Sequence, residues 1–382
     1  MIFYFIIFHL FFILLSPFFI ILFFKERERF KPIEGDYEYW FHCSSVGEVK
    51  IIKSVIGELD GKILITTFTK SGKDVGKMIY RGYDVRLMPI DSPYIMFKSF
   101  KSKKIRFLLL VECELWPSLI YFAKRNNVKV VILNGRINEK FRIFKKFLIG
   151  ILKNYIDYIF PAGERNRENF IKLGFPEKKI GKTFNLKYDV KPSYKDLKPS
   201  YIFKKDVVVF GSVREGEEKI VVDNLIDDVI NVIVPRHLPR VNYIEKILRS
   251  KGKNYNLYSS GKYNGENIII VDEMGSLVDF YRIAKIVFIG GTILDYGGHN
   301  PVEAAYFKKP ILAGRHTENI DDFFEECVKS GGCKRVGNNF KDEIINLLND
   351  EENIKKMGET SYKIIERIRG SKNLIIRYLK NQ

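Results

Sequence analysis

The chain has 382 residues, 46% hydrophobic and 14% aromatic, which is more than one core organises and excludes a disordered chain. Lys and Arg number 64 against 46 Asp and Glu, a net charge of +18 that favours anionic partners. No zinc-finger spacing, aromatic RNA-binding signature or basic low-complexity tail accompanies this charge, which argues against nucleic acid and leaves an anionic membrane or lipid. Cys43, Cys113, Cys327 and Cys333 are scattered without a C-x-x-C pair, so neither a disulfide nor a structural zinc is expected, and the bulk of the chain reads as belonging to a reducing compartment.

Residues 1–24, MIFYFIIFHLFFILLSPFFIILFF, carry no Lys, Arg, Asp or Glu. As a helix they would span about 36 Å, enough for a hydrocarbon layer of roughly 30 Å. A basic n-region and a small-residue cleavage site are both missing, so the segment reads as an uncleaved membrane-anchor helix rather than a signal peptide. The KERERFK that follows places Lys25, Arg27, Arg29 and Lys31 on one side only, which orients the remaining chain to the cytoplasm.

From Tyr37 short β-branched and aromatic runs alternate with amphipathic stretches. YEYWFH (37–42), KILITTF (62–68), DVRLMP (84–89), RFLLLVE (106–112), VKVVILNG (128–135) and YIFPA (158–162) are expected strands, each followed by a helix. Residues 189–205, with two Lys-Pro steps and no apolar period, read as a linker. The pattern restarts with DVVVFGS (206–212), NVIVPR (231–236), NIIIVDE (267–273), KIVFIGG (285–291) and PILAG (310–314), and beyond about residue 340 only helices are expected. The fold class is therefore α/β, two Rossmann-like domains over residues 37–188 and 206–382, the last helices able to pack back on the first domain, with a cleft at the carboxyl ends of the strands.

The chemistry is expected at those strand ends. In GGHNPVEAA, Asn300, Pro301 and Glu303 make a helix start without any ligand, Glu303 closing a capping box. Gly290, Gly291, Gly297 and Gly298 are not explained that way: glycines permit close approach and positive φ, and free amides at a helix start favour a phosphate. Glu303 would then accept from ribose hydroxyls. Gly211-Ser212-Val213-Arg214 and Val234-Pro235-Arg236-His237 end neighbouring strands with residues able to hold an anion.

In the first domain Glu48 stands at a glycine turn entering a helix, where it either stabilises the dipole or serves as a general base. The dipole would depress its pKa, so a working base there needs partial burial. Glu112 and Glu114 sit at the end of an apolar strand, costly unless used or paired. No D-x-D motif, P-loop or G-x-S-x-G occurs, and neither a metal nor a cofactor is expected.

HCSSVGE, ECELWPSLI, FNLKYD, GSVREGEE, VPRH, GGHNPVE and PILAGRHTENI, in this order from Trp40 to Phe323, resemble the Kdo (3-deoxy-D-manno-octulosonic acid) transferases of lipopolysaccharide synthesis. The resemblance implies a GT-B glycosyltransferase that moves Kdo from CMP-Kdo to a lipid A precursor at the cytoplasmic face of the inner membrane, with the acceptor on the N-terminal domain and the donor on the C-terminal one. It implies Glu48 as base, Glu112 as a second catalytic acid, and Ser212, Arg236, Gly298, Asn300 and Glu303 as donor-binding residues. The chain departs from the family at Arg214, where a histidine is frequent, and at Arg315. Two other readings stay open: another GT-B enzyme, such as a nucleotide-diphosphate sugar transferase or epimerase, and a non-catalytic membrane-anchored protein binding anionic lipid.

Overall fold

The computed structural model describes residues 23–101, 103–137 and 149–382, and the chain divides into two compact units: one runs to Val190 and takes in Gly370–Gln382, the other is Lys191–Arg369. Each unit is built on a parallel sheet, giving two Rossmann-like domains. The anchor expected over residues 1–24 lies outside the described residues apart from Phe23 and Phe24. Among the described residues no helix is long and apolar enough to cross a membrane.

Six strands make the first sheet: β1 (Tyr39–Cys43), β2 (Ile63–Thr67), β3 (Asp84–Leu87), β4 (Phe107–Val111), β5 (Lys129–Gly135) and β6 (Tyr158–Pro161), in the order β3-β2-β1-β4-β5-β6. Their near-continuous apolar runs are what a sheet covered on both faces requires. Successive residues feed opposite cores: Trp40, Leu108, Leu110, Val130 and Ile132 pack on one face, and Phe41, Phe107, Leu109, Val131 and Leu133 on the other. Each such side chain contributes about 1.5–3 kcal/mol on burial. The last helix, Ser371–Lys380, belongs to this unit. Its Ile375 and Leu379 are fully buried in the second of those cores, and Tyr378 stacks on Tyr158 with ring centroids 4.6 Å apart.

The second sheet comprises β7 (Val207–Val213), β8 (Ile230–Pro235), β9 (Asn256–Leu257), β10 (Ile268–Ile270), β11 (Ile286–Ile289), β12 (Ile311–Ala313) and β13 (Cys333–Arg335), in the order β13-β12-β11-β7-β8-β10-β9. With the two-residue edge strand β9 set aside, this is the strand order of the first sheet. Both sheets therefore reverse direction beside their first strand, between β1 and β4 and between β7 and β11, the places where α/β sheets bind ligands. The segment 191–205 packs on this unit: Tyr201 is buried and rests against Tyr258, and Lys198 pairs with Glu273 at 2.7 Å.

One expectation is corrected. Cys327 and Cys333 form a disulfide, with Cα atoms 5.1 Å apart. The helix Asp321–Lys329 ends, turns through Gly331 at φ +76° and returns at once into β13, so two cysteines without C-x-x-C spacing meet. Cys43 and Cys113 take no part in the disulfide and are buried. β9 and β13 had no sequence signal, since Asn-Leu and Cys-Lys-Arg make no apolar run.

Gly358 lies inside the helix Glu351–Ile368, where alanine would ordinarily be favoured by about 1 kcal/mol. A Cβ there would stand 2.0 Å from the Lys308 carbonyl oxygen, and backbone cannot step aside. Gly358→Ala is expected to lower the melting temperature by several degrees in a thermal unfolding scan. A rise would show that the helix is not seated against Lys308.

Candidate functional site

In the first unit β1 leads through Ser44 and Ser45 into the helix Val46–Ile51, which carries Glu48 in its first turn. The Glu48 carboxylate turns back to accept from the Ser44 amide at 2.5 Å and the Ser45 hydroxyl at 3.1 Å. It is 7% exposed. Burial raises its pKa from 4.5 to about 7; the Ser44 amide works against this, and the charges of Glu112 and Glu114 add to it. Desolvation therefore outweighs the helix start, and the carboxyl titrates where a proton can be both taken and released.

Glu112 follows β4 on a residue held at φ +61°, and Glu112 N donates to Leu133 O at 2.8 Å. Arg136, just past β5, lies 3.7 Å from the Glu112 carboxylate, an ion pair too long to be a hydrogen bond. Lys187 completes the group. Burial lowers its pKa, Arg136 lowers it further, and Glu112 partly restores it. Glu48 and Glu112 are thus brought together at the reversal of the first sheet, with Arg136 and Lys187 as counter-charges. Neither cation was singled out from the sequence; Lys187 stood inside FNLKYD without a role.

The loop that ties these elements down is aromatic. Phe68 stacks on Trp116 at 5.5 Å, and Trp116 meets His42 edge-on. Phe68 N donates to Cys43 O and Thr69 N to Ser44 O, both at 3.1 Å. Asp91 accepts from the amides of Ser118 and Leu119 at 2.9 and 2.8 Å, and so caps the helix Pro117–Arg125 that begins just after Glu114.

In the second unit Ser212, the penultimate residue of β7, is held at φ +59°. A Cβ on Gly290 would meet Ser212 O at 2.5 Å, and one on Gly291 would meet the His299 ring at 2.9 Å. These glycines are bare because backbone and ring pass over them. Their amides are not free for a phosphate: Gly290 N donates to Gly211 O at 2.7 Å, Gly291 N to Glu217 Oε2 at 2.7 Å, and Gly298 N to Gly291 O at 2.7 Å. The helix after them is only the five residues Val302–Tyr306; it starts past Pro301, and Asn300 Oδ1 accepts from Val302 N at 3.2 Å. Glu303 is half-buried and its charge acts on the buried Tyr281.

Side-chain cations supply the positive charge instead. Arg214 lies over the Tyr296 ring at 4.3 Å and donates to His237 Nε2 at 3.0 Å; arginine has no acceptor, so that nitrogen accepts. His299 is pushed down to about 4, first by burial and then by the charges of Arg236, Arg214 and His237. Arg236, itself exposed, thus faces the same spot as His299. A neutral imidazole beside two guanidinium groups is a place where an anion relieves repulsion. A group that sequence reading did not single out, Asp295, His316 and Glu318, brings one possible ligand atom each within 4.8 Å of one another; two of the three are exposed, and such groups are common without an ion.

Residues 23–190 match the family model described as 3-Deoxy-D-manno-octulosonic-acid transferase (kdotransferase). A bifunctional glycosyltransferase/methyltransferase of Fusobacterium nucleatum is 32% identical over 386 residues, covering 94% of this chain but only 60% of that longer protein. A 3-deoxy-D-manno-octulosonic acid transferase of Haemophilus influenzae is 27% identical over 371 residues, covering 89% of this chain and 86% of its own length. A glycosyltransferase from Rickettsia africae shares the fold, with a TM-score of 0.63 at 13% identity over 91% of this chain and 99% of that one.

Two Rossmann-like sheets with charged groups gathered at their reversals, in a chain whose relatives bear transferase names, make this a glycosyltransferase. Its matches, over residues 23–190 to the family model and over most of its length to named relatives, are to Kdo transferases.

Ionising Glu48 in its buried setting works against folding. Its folded pKa of about 7 lies above the ordinary 4.5, so the penalty is absent below pH 4.5, grows between the two values and is complete, at about 3 kcal/mol, above pH 7. Glu48→Gln is expected to raise the melting temperature by several degrees at pH 8 and to lose that advantage at pH 4.5. A difference that does not change with pH would show that Glu48 is not held protonated.

Proposed function

We propose that the chain moves Kdo from CMP-Kdo to a hydroxyl of a lipid A precursor, with Glu48 as general base. The observation that carries this reading is the Glu48 carboxyl: buried, given one amide and one hydroxyl, and raised to about 7. A carboxylate so poorly solvated is basic enough to take the proton of an alcohol as its oxygen attacks the anomeric carbon. In that step the new carbon–oxygen bond forms as the bond from the anomeric carbon to the CMP phosphate oxygen breaks, and CMP leaves with the electron pair. Glu112, charged beside Glu48, holds that carboxyl's pKa up and is itself offset by Arg136.

The donor falls to the second unit. Arg214, Arg236, His237 and His299 surround a spot that would take the phosphate or the sugar carboxylate, and Ser212, Gly298, Asn300 and Glu303 complete the proposed donor contacts. Guanidinium groups stabilise the charge that grows on the departing phosphate. The lipid acceptor stays in the membrane, and the apolar residues 1–24 with the basic Lys25, Arg27 and Lys31 would keep the enzyme at its inner, cytoplasmic face. The reading as an enzyme of nucleotide-diphosphate sugars has only fold-level support. Relatives across most of the chain are named Kdo transferases.

Purified protein incubated with CMP-Kdo and a lipid A precursor should release CMP and yield lipid heavier by whole Kdo units in a mass spectrum; a melting temperature raised by UDP but not by CMP would favour the other reading. Glu48→Gln is expected to reduce transfer by about 10²–10⁴-fold with CMP affinity intact. The wild-type rate should fall as pH drops through about 7, because the base must be ionised. Glu112→Gln removes one of the charges that raise Glu48, so this limb should move to lower pH; a limb that stays in place would separate Glu112 from the base.

A further inference from the structure

We infer that Glu217 is a positioning residue, an internal anion whose carboxylate gathers the amides of two loops and sets the backbone on which the donor is bound. The inference rests on the reading of the second unit as the donor-binding one.

Glu217 is fully buried, and every hydrogen bond shown to its carboxylate comes from a backbone amide. Oε2 accepts from Arg214 N at 2.9 Å and Gly291 N at 2.7 Å; Oε1 accepts from Ile293 N at 2.8 Å and, more weakly, Leu294 N at 3.4 Å. Arg214 follows β7, whereas Gly291, Ile293 and Leu294 follow β11, the strand paired with it at the reversal of the sheet. Gly291, at φ +71°, lets successive amides converge on one point, the arrangement by which backbone binds anions. Here the bound anion is part of the chain. The loop is tied further by Gly298 N to Gly291 O at 2.7 Å and by Gly314 N to Thr292 Oγ1 at 2.8 Å. Gly298, His299 and Asn300 are thereby placed through Glu217, and so is Arg214 from the other strand.

Glu217→Gln keeps the shape and replaces one acceptor oxygen by an amide. Because both oxygens accept, either orientation sets N–H against N–H. The expected result is a rise of about tenfold or more in the KM for CMP-Kdo, with the KM for the lipid acceptor unchanged. Glu218→Gln is the control: Glu218 is almost equally buried but serves Gly216 N at 2.7 Å and Arg240 Nε at 2.6 Å, and no amide of the loop after β11 is shown donating to it. It should lower the melting temperature with the donor KM unmoved. A folded Glu217→Gln whose donor KM stays at the wild-type value overturns the proposal.

Should that variant not fold, amide hydrogen exchange in the wild type decides. Gly291 and Ile293 are expected to be protected without ligand and to gain nothing from CMP. Amides that exchange freely and become protected only with CMP would overturn it. A wild type that releases no CMP from CMP-Kdo with acceptor present would instead count against the proposed reaction, and the exchange result would still judge Glu217.

Discussion

Burying a carboxylate where a parallel sheet reverses its strand order demands hydrogen-bond donors, and the two units meet that demand differently. Glu217 in the second unit receives amides from both strands at the reversal. Glu48 in the first receives one amide and one hydroxyl, with two other carboxylates close enough to raise its pKa. An anion wrapped in amides has its charge met by the chain; one left short of donors is driven toward its protonated form. The same residue type at the same topological place is thus given different surroundings, four amide contacts in one unit and one amide with one hydroxyl in the other.

This division has consequences for the proposed donor site. With the amides after β11 turned inward, the outward charge of the second unit comes from Arg214, Arg236 and the two histidines, 237 and 299. Side-chain cations can yield and regroup around a phosphate and a carboxylate of the same ligand, which a rigid amide loop cannot. Glycine at 290 and 291 then serves close packing against Ser212 and His299, with the amides satisfied by the protein.

Much of the fold could be read from the chain because both faces of each sheet are covered. Runs such as FLLLV and VVVF have no other use in a molecule of this composition, and eleven of the strands lie where those runs stand. The two short strands β9 and β13 carried no run, and the Cys327–Cys333 pairing depended on a turn that spacing rules do not describe. At the candidate site, Glu48 stood out at a glycine turn entering a helix, and Glu112 because an acid at the end of an apolar strand is expensive. Arg136 and Lys187 did not, since a cation is ordinary in a chain with 64 of them. Glu217 lay inside a motif but was indistinguishable from its neighbours Glu215 and Glu218: which of three nearby acids faces two loops is fixed by the turn after β7, and only coordinates show it. The GGHNPVE segment was read as a full helix start with open amides, whereas its helix is one short turn and the amides of Gly298 and Val302 are taken by Gly291 O and Asn300 Oδ1.

The claim that carries most weight is that Glu48 is held near neutrality by burial. A carbon-13 titration of side-chain-labelled glutamates, with the Glu48 signal identified by its absence in Glu48→Gln, reads that directly in the protein without substrates. A midpoint near 7 is expected. A midpoint near the ordinary 4.5 would mean that water reaches the carboxylate, and a base of that strength could not be the one proposed.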